Sequence, residues 1–143
     1  IILSSMFNAN SSNYIDWQRK TNKLNNNKFT FLNMFDDFID IRHSDIINNT
    51  ILTYRNSNMS AIICLQYVNL LSKAARSNVN NVFMLHLNTD ESIDVILKVY
   101  LMRIVKSVDN SIAWYKDMTS DHNYLYLHTL SARLYSSKYK KYI

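Results

Sequence analysis

The chain has 143 residues, of which 48% are hydrophobic, carries a formal net charge of +5 and contains neither glycine nor proline. Phosphate-cradling loops and nucleophile elbows need glycines, because the backbone must approach a ligand or turn sharply where a Cβ would clash. These residues therefore contain neither motif, and the composition excludes most nucleotide-dependent enzymes and common hydrolases.

Apolar residues at helical spacing predict three strong helices after an N-terminal arm over residues 1–27, which is basic from residue 17. The first helix carries Phe31, Phe35 and Phe38 on one face. The second spans residues 61–75. The third follows Asp90 and Glu91, which favour a helix N-terminus, and its apolar stripe over residues 93–108 is broad enough for a buried central helix.

Weaker signals lie between and after these helices. Helical spacing also predicts short helices over residues 44–54 and 111–118 and a final amphipathic helix from residue 121. Residues 82–87 are the best strand candidate, with residues 93–97 as the expected partner across a turn at 88–91. Together these elements predict a mostly α fold: a single helical domain of about five to six helices over residues 28–143, with a basic C-terminal tail and room for one β-hairpin.

Asparagine, with 19 residues, takes the role that glycine usually has in turns. Asn is the non-glycine residue that best tolerates positive φ, so its clusters at residues 25–27, 48–49, 56–58, 78–81 and 88 predict breaks between elements. Its AT-rich codons, like those of Ile, Lys and Tyr, indicate an AT-rich gene, as in organelle genomes, some parasites and large DNA viruses. Because the chain also starts at Ile1 instead of Met, we expect a protein of the mitochondrial matrix.

Positive charge is concentrated in two segments. Residues 17–35 and 122–143 contain no Asp or Glu, and tyrosines interleave with the basic residues of the second segment. Lysine and arginine neutralise phosphates while exposed rings stack on bases, so this pattern favours RNA binding, although a tail that only keeps the chain in solution has the same composition. The predicted RNA-binding residues are Arg19, Lys20, Lys23, Lys28, Arg133, Lys138, Lys140 and Lys141.

Residues that could carry chemistry have simpler structural interpretations. Cys64, the single cysteine, would lie on the apolar face of the second helix as a small hydrophobe, and no two of the four histidines have the spacing of a helical zinc motif. Asp36, Asp37 and Asp40 lie close enough on the first helix to hold a cation, but a solvated acidic face is favoured. Trp114 is expected in the core. We therefore predict no enzyme, cofactor, metal or small-molecule substrate, and no membrane span, because the longest uncharged stretch, residues 56–72, is too short and polar.

Taken in order, the predicted elements resemble the small-subunit ribosomal protein seven family. The resemblance covers nearly the whole chain from residue 28 and implies a helical body with one β-hairpin that wraps small-subunit rRNA. The segments similar to that family are Lys28-Phe29 with Met34 and Asp36, a helix ending Ile51-Leu52-Thr53-Tyr54, a helix at 59–76, a hairpin at 82–97, Tyr100-Leu101-Met102-Arg103-Ile104-Val105, and Ser111-Ile112-Ala113.

These observations predict a structural constituent of the small subunit of a mitochondrial ribosome, which binds rRNA through its basic termini and contacts neighbouring subunits. Two other classes stay open. A poxviral Bcl-2-like regulator has a central apolar helix, for which residues 61–75 qualify, and a groove that binds a partner's helix. A soluble accessory subunit of a respiratory complex fits the same composition.

Overall fold

The computed structural model describes residues 11–26, 28, 30–38, 44–105 and 110–143. Predictions for residues 1–10, Phe29, Asp40 and residues 106–108 therefore lie outside the described residues. The chain forms two compact units, which divide between Asn78 and Val79. Each unit has its own sheet.

The N-terminal unit is built around two parallel strands. β1 (Phe31–Phe38) and β2 (Met59–Leu65) pair directly, and α2 (Ser44–Thr53) with a short 3-10 turn (Tyr54–Ser57) forms the crossover between them. Parallel neighbours need such a crossover because a tight hairpin cannot join them. The remaining elements are α1 (Ser11–Leu24), a 3-10 turn (Val68–Leu70) and α3 (Lys73–Asn78).

Asn58 sets the start of the parallel pair. It has φ 50, in the left-handed region, and ends the turn that precedes β2. Its side-chain amide donates to Thr30 Oγ1 at 3.2 Å, while its carbonyl accepts from the Phe31 amide at 3.4 Å. The predicted breaks at residues 25–27 and 56–58 are confirmed, since Asn26 also has positive φ.

Both apolar and polar side chains are buried in the N-terminal unit. Gln18 on α1 and Asn33 on β1 exchange two side-chain hydrogen bonds of 3.1 Å, and both residues are buried. Pairing satisfies amide groups that would otherwise be costly to remove from water. The buried apolar residues described in this unit are Ile15, Ile47, Ile51, Met59, Leu71 and Ala75.

The C-terminal unit packs helices against an antiparallel sheet of strand order β3-β4-β5-β6. Its strands are β3 (Asn81–Met84), β4 (Leu125–His128), β5 (Arg133–Ser136) and β6 (Lys141–Tyr142). α4 (Asp90–Ile96) begins where the Thr89 hydroxyl accepts from the Ser92 amide, and continues into a π-helical turn, Leu97–Leu101. α5 (Ser111–Met118) begins where the Asn110 side chain accepts from the Ala113 amide.

Alternating side chains give this sheet one buried and one outer face. Leu125, Leu127 and Leu134 point into the core, while their neighbours in sequence point outward. The buried residues of this core are Met84, Ile93, Leu97, Leu101, Val105, Tyr115, Met118, Leu125, Leu127 and Leu134. Trp114 is partly buried and packs against them, which agrees with its predicted place in the core.

The prediction of a mostly α fold is wrong, because the structure contains two sheets. The first predicted helix is strand β1, and the second is divided among β2, a 3-10 turn and α3. Short apolar runs satisfy helical and strand periodicities equally well, which explains both errors. The final predicted helix is also wrong: residues 125–128 alternate apolar and polar faces and form β4.

Several other elements are confirmed. The short helices predicted at 44–54 and 111–118 are α2 and α5, and the described part of the third predicted helix contains α4 and its π-helical extension. β3 is a strand as predicted, but its partner is β4 and not residues 93–97, which lie in α4 and its extension. None of the described helices combines the length and the apolar character required to span a bilayer.

Burial raises the pKa of the Tyr115 hydroxyl above its usual range, and this hydroxyl donates to the Leu85 carbonyl at 2.7 Å. An unfolded tyrosine titrates near pH 10, so above that pH the unfolded state loses a proton that the folded state keeps. We expect the free energy of unfolding to fall as pH rises above about 10, and Tyr115→Phe to remove this contribution to the fall. Urea titrations from pH 8 to 11 would measure both; equal slopes in the two proteins would contradict the prediction.

Candidate functional site at the carboxyl ends of the parallel strands

The candidate site lies at the carboxyl ends of β1 and β2. In open α/β sheets, ligands bind in the crevice outside these ends. β1 ends with Asp36-Asp37-Phe38, and Gln66 directly follows the last residue of β2. Polar residues thus stand where two apolar strands stop.

A bulge places both aspartates opposite one residue. Phe35 pairs with Ile63 and Phe38 with Leu65, so β1 uses three steps where β2 uses two. The register therefore gives β1 two positions, Asp36 and Asp37, where β2 has the single position of Cys64. Bulges of this kind re-aim side chains and are frequent beside active sites.

Asp36 contacts the Cys64 thiol. The pKa of Cys64 is raised, first by burial of the thiol, then by the charge of Asp36 and by the hydrogen bond between the two side chains. A raised pKa keeps the thiol protonated, which makes it a poor nucleophile. The structure corrects the predicted place of Cys64: it is exposed, on a strand and not on a helix face.

The two consecutive aspartates suit Mg²⁺ better than they suit a closed metal site. Within the described ranges, no group of three or more His, Cys, Asp or Glu side chains is placed to hold a metal ion. Mg²⁺, however, is usually held by one or two carboxylates together with substrate phosphates and water. Asp36, exposed at the end of β1, fits that donor set. The prediction that these aspartates lie on the solvated face of a helix is therefore wrong, because they lie at the end of a strand.

The segment that follows β2 is fixed by side-chain hydrogen bonds. The Ser72 amide donates to Asn48 Oδ1 on α2 at 2.8 Å, and the Ser72 hydroxyl caps α3 by accepting from the Ala75 amide at 3.1 Å. One turn later, the Arg76 guanidinium donates to Asn69 Oδ1 at 3.4 Å. This bond holds a cation against the loop that leaves the carboxyl end of β2.

The predicted basic residues of the arm lie mainly on α1. Arg19 donates to the Asp16 carboxylate at 3.2 Å and to the Thr53 hydroxyl, so its guanidinium is engaged within the unit. Lys20, Lys23 and Lys28 are exposed. α1 was not predicted from the sequence, because two of its buried residues, Gln18 and Asn22, are polar and Ile15 alone gives no apolar stripe.

The four predicted cations of the C-terminal unit have different surroundings. Lys138 donates to Asp117 Oδ1 at 2.6 Å, and this hydrogen bond is the main reason that its pKa is raised. Lys141 lies 5.9 Å from the centre of the Tyr139 ring. Arg133 on β5 and Lys140 in the following turn are exposed. Lys138 also lies 5.9 Å from the centre of the Tyr139 ring, so two of the four cations share one aromatic neighbour.

Comparisons with known proteins support the α/β fold. No protein-family model matches the chain, and neither does any curated protein. Three structures of the genome packaging NTPase B204 from Sulfolobus turreted icosahedral virus 2, in complex with AMPPCP, ATP-gammaS and AMP, match with TM-scores of 0.56, 0.56 and 0.57 and identities of 12%, 11% and 12%. They cover 89%, 87% and 91% of this chain, which spans only 61%, 63% and 63% of that NTPase.

This likeness contradicts the predicted ribosomal function and supports neither alternative, the Bcl-2-like regulator or the respiratory subunit. The ribosomal and Bcl-2-like predictions depended on a mostly helical body, which the chain does not have. The neighbour is an NTPase, which conflicts with the expectation that this chain is not an enzyme, although identities of 11–12% show a shared fold and not a shared activity. Contact with rRNA and location in the matrix stay predictions. By its fold, the chain is similar to a viral genome packaging NTPase.

Proposed function

We propose that this chain is part of a nucleotide-binding α/β domain, in which Asp36 binds the Mg²⁺ of a nucleoside triphosphate. One observation carries the proposal: two consecutive aspartates stand at a bulge, at the carboxyl end of a strand in a parallel βαβ unit. This is the position where α/β folds bind ligands. The similarity to an NTPase supports it at the level of the fold.

Each residue at the strand ends has a role that its chemistry allows. Bound Mg²⁺ would neutralise charge on the phosphate oxygens. The carboxylate of Asp36 would hold it, and the amide of Gln66, on the neighbouring strand end, would orient a water molecule. Arg76, which Asn69 holds against the loop after β2, would offset charge on the phosphates.

The absence of glycine limits what these residues do on their own. Without a phosphate-cradling loop, the backbone amides that normally surround the phosphates are not supplied by these 143 residues. Binding then depends on the metal and its carboxylates. We therefore expect weak binding that requires a divalent cation, and we expect hydrolysis only where a phosphate-cradling loop is supplied in addition.

Removal of the Asp36 carboxylate tests the proposal. We expect Asp36→Asn to weaken binding of Mn²⁺–AMPPCP by at least about tenfold, since loss of even an indirect metal partner costs this much. Water-proton relaxation with Mn²⁺ as the probe would measure the binding. Asp94→Asn is a matched control, because it removes an exposed carboxylate that pairs with Lys98 in the other unit.

Two results would overturn the proposal. One is equal Mn²⁺–AMPPCP binding by wild type, Asp36→Asn and Asp94→Asn, which would place the metal elsewhere. The other is no binding by the wild type at millimolar nucleotide, with circular dichroism showing a folded protein. In that case the chain keeps the α/β fold without the nucleotide.

A further inference from the structure

A row of aromatic side chains crosses the outer face of the C-terminal sheet. Phe83 on β3 pairs with Tyr126 on β4, Tyr126 pairs with Tyr135 on β5, and Tyr135 pairs with Tyr142 on β6. These four residues, which we call the aromatic row, therefore occupy one line perpendicular to the strands. Because side chains alternate between faces, all four lie opposite the core residues Leu125, Leu127 and Leu134.

The rings of the row contact each other in two pairs, and the rings at its two ends are exposed. The centroids of Phe83 and Tyr126 are 4.9 Å apart with 31° between the planes, and those of Tyr135 and Tyr142 are 5.6 Å apart with 70° between the planes. Phe83 is 64% exposed and Tyr142 is 60% exposed. Large apolar groups that stay exposed in this way indicate a binding surface.

The charge of this surface is positive. Residues 122–143, which contribute three of the four strands, contain no Asp or Glu. Arg133 lies two residues before Tyr135 on the same face of β5 and pairs across the strands with His128. Of the four predicted C-terminal cations, Arg133 is the one that the strand register places on this face. A cation beside exposed rings complements the phosphates and bases of a nucleic acid strand.

We propose that the aromatic row binds single-stranded DNA, with two or three successive bases stacked on its rings and a phosphate at Arg133. Strands lie about 4.8 Å apart, so four strands give a row of roughly 14 Å, which suits that number of bases. A duplex keeps its bases stacked inside and cannot use the rings. The row belongs to the C-terminal unit and does not depend on the proposed nucleotide site.

The polar groups beside the row favour DNA over RNA. The Tyr126 hydroxyl donates to Asn81 Oδ1 at 2.8 Å, and His128 Nδ1 lies 2.7 Å from the Ser131 hydroxyl. Tyr126 is thus paired with Asn81, and His128 with Ser131. Recognition of RNA uses contacts to the 2′-hydroxyl, whereas stacking on ring faces needs only the bases.

Fluorescence anisotropy with a labelled oligo-dT of about ten nucleotides tests the proposal. We expect Phe83→Ala and Tyr142→Ala each to weaken binding by roughly tenfold, as loss of a stacking ring does elsewhere. We expect Arg133→Ala to lower the slope of log affinity against log salt by about one. Both aromatic positions are exposed, so the variants should fold. Tyr67→Ala, at a 55% exposed tyrosine of the other unit, is the matched control.

Several outcomes would overturn the inference. Unchanged affinity in both Phe83→Ala and Tyr142→Ala would remove the row from any binding surface for DNA. Equal affinity for duplex and single-stranded DNA would exclude stacking, and a tenfold preference for oligo-U would assign the row to RNA. A dimer in light scattering that dissociates in Phe83→Ala, without DNA binding by the wild type, would make the row a protein interface.

Discussion

Leu134→Ala is expected to destabilise the C-terminal unit by about 3 kcal/mol. Leu134 is fully buried on β5, where it pairs with the buried Leu127 and belongs to the core between the sheet and the helices. Truncation of such a side chain loses its burial and leaves a cavity that the surrounding strands cannot fill. The midpoint of urea unfolding, followed by far-UV circular dichroism and tyrosine fluorescence, would measure the loss.

Leu130→Ala provides the matched control, since the same atoms are removed from a residue that is 72% exposed in the turn after β4. Its free energy of unfolding should lie within about 0.5 kcal/mol of wild type. Equal losses in the two variants would mean that Leu134 is not in the core. The assignment of the inward-facing residues of the sheet would then be wrong as well.

The second large effect is expected in the N-terminal unit. Asn33→Ala should cost about 2–3 kcal/mol, because it removes both hydrogen bonds from the Gln18 amide and leaves that amide buried without its partner. Asn33 is 9% exposed and Gln18 is 3% exposed, so water cannot readily replace the lost bonds. Thermal unfolding would report the change.

A double variant separates the hydrogen bonds from simple packing. Replacing both partners, as in Gln18→Met with Asn33→Leu, leaves no unpaired amide and should recover most of the stability that Asn33→Ala loses. Additive losses in the double variant would show that the pair contributes through packing or local backbone preference. The cycle thus tests whether α1 and β1 are joined by the amide pair.

Local signals predicted the elements that are continuous and capped. α5 begins and ends where the helical pattern does, because Asn110 accepts the Ala113 amide, and α4 begins at a similar cap. Strand pairing was not predictable in the same way. β3 pairs with β4, which starts about forty residues later, and nothing in the pattern of β3 names so distant a partner.

The candidate site was half visible in the sequence. Asp36 and Asp37 were grouped with Asp40 as carboxylates that could hold a cation, but their assignment to a helix made a solvated face the simpler interpretation. The available signal was the apolar run from Phe31 to Phe35 that ends abruptly in two carboxylates. The bulge opposite Cys64, in contrast, depends on the register with β2 and could not be predicted.

The aromatic row shows the same limit. Tyr126, Tyr135 and Tyr142 were noted as rings interleaved with cations, yet Phe83 was assigned to a hairpin with the wrong partner. Four residues from distant positions form one line only through the strand order. The proposed surface therefore follows from topology and not from a local motif.

Positive φ in a chain without glycine has an evolutionary consequence. Among the residues that the structure describes, six adopt it: Asn26, Asn58, Asp121, His122, Ala132 and Lys140. Asn and Asp tolerate this conformation, but alanine at Ala132 carries strain of about 1–2 kcal/mol that glycine would not. If the AT bias of the gene keeps glycine codons rare, residues other than glycine occupy these positions. The mutational bias of the DNA then raises the backbone strain of the protein. The fold must then tolerate that strain through its core, and selection for stability acts against the base composition of its own gene.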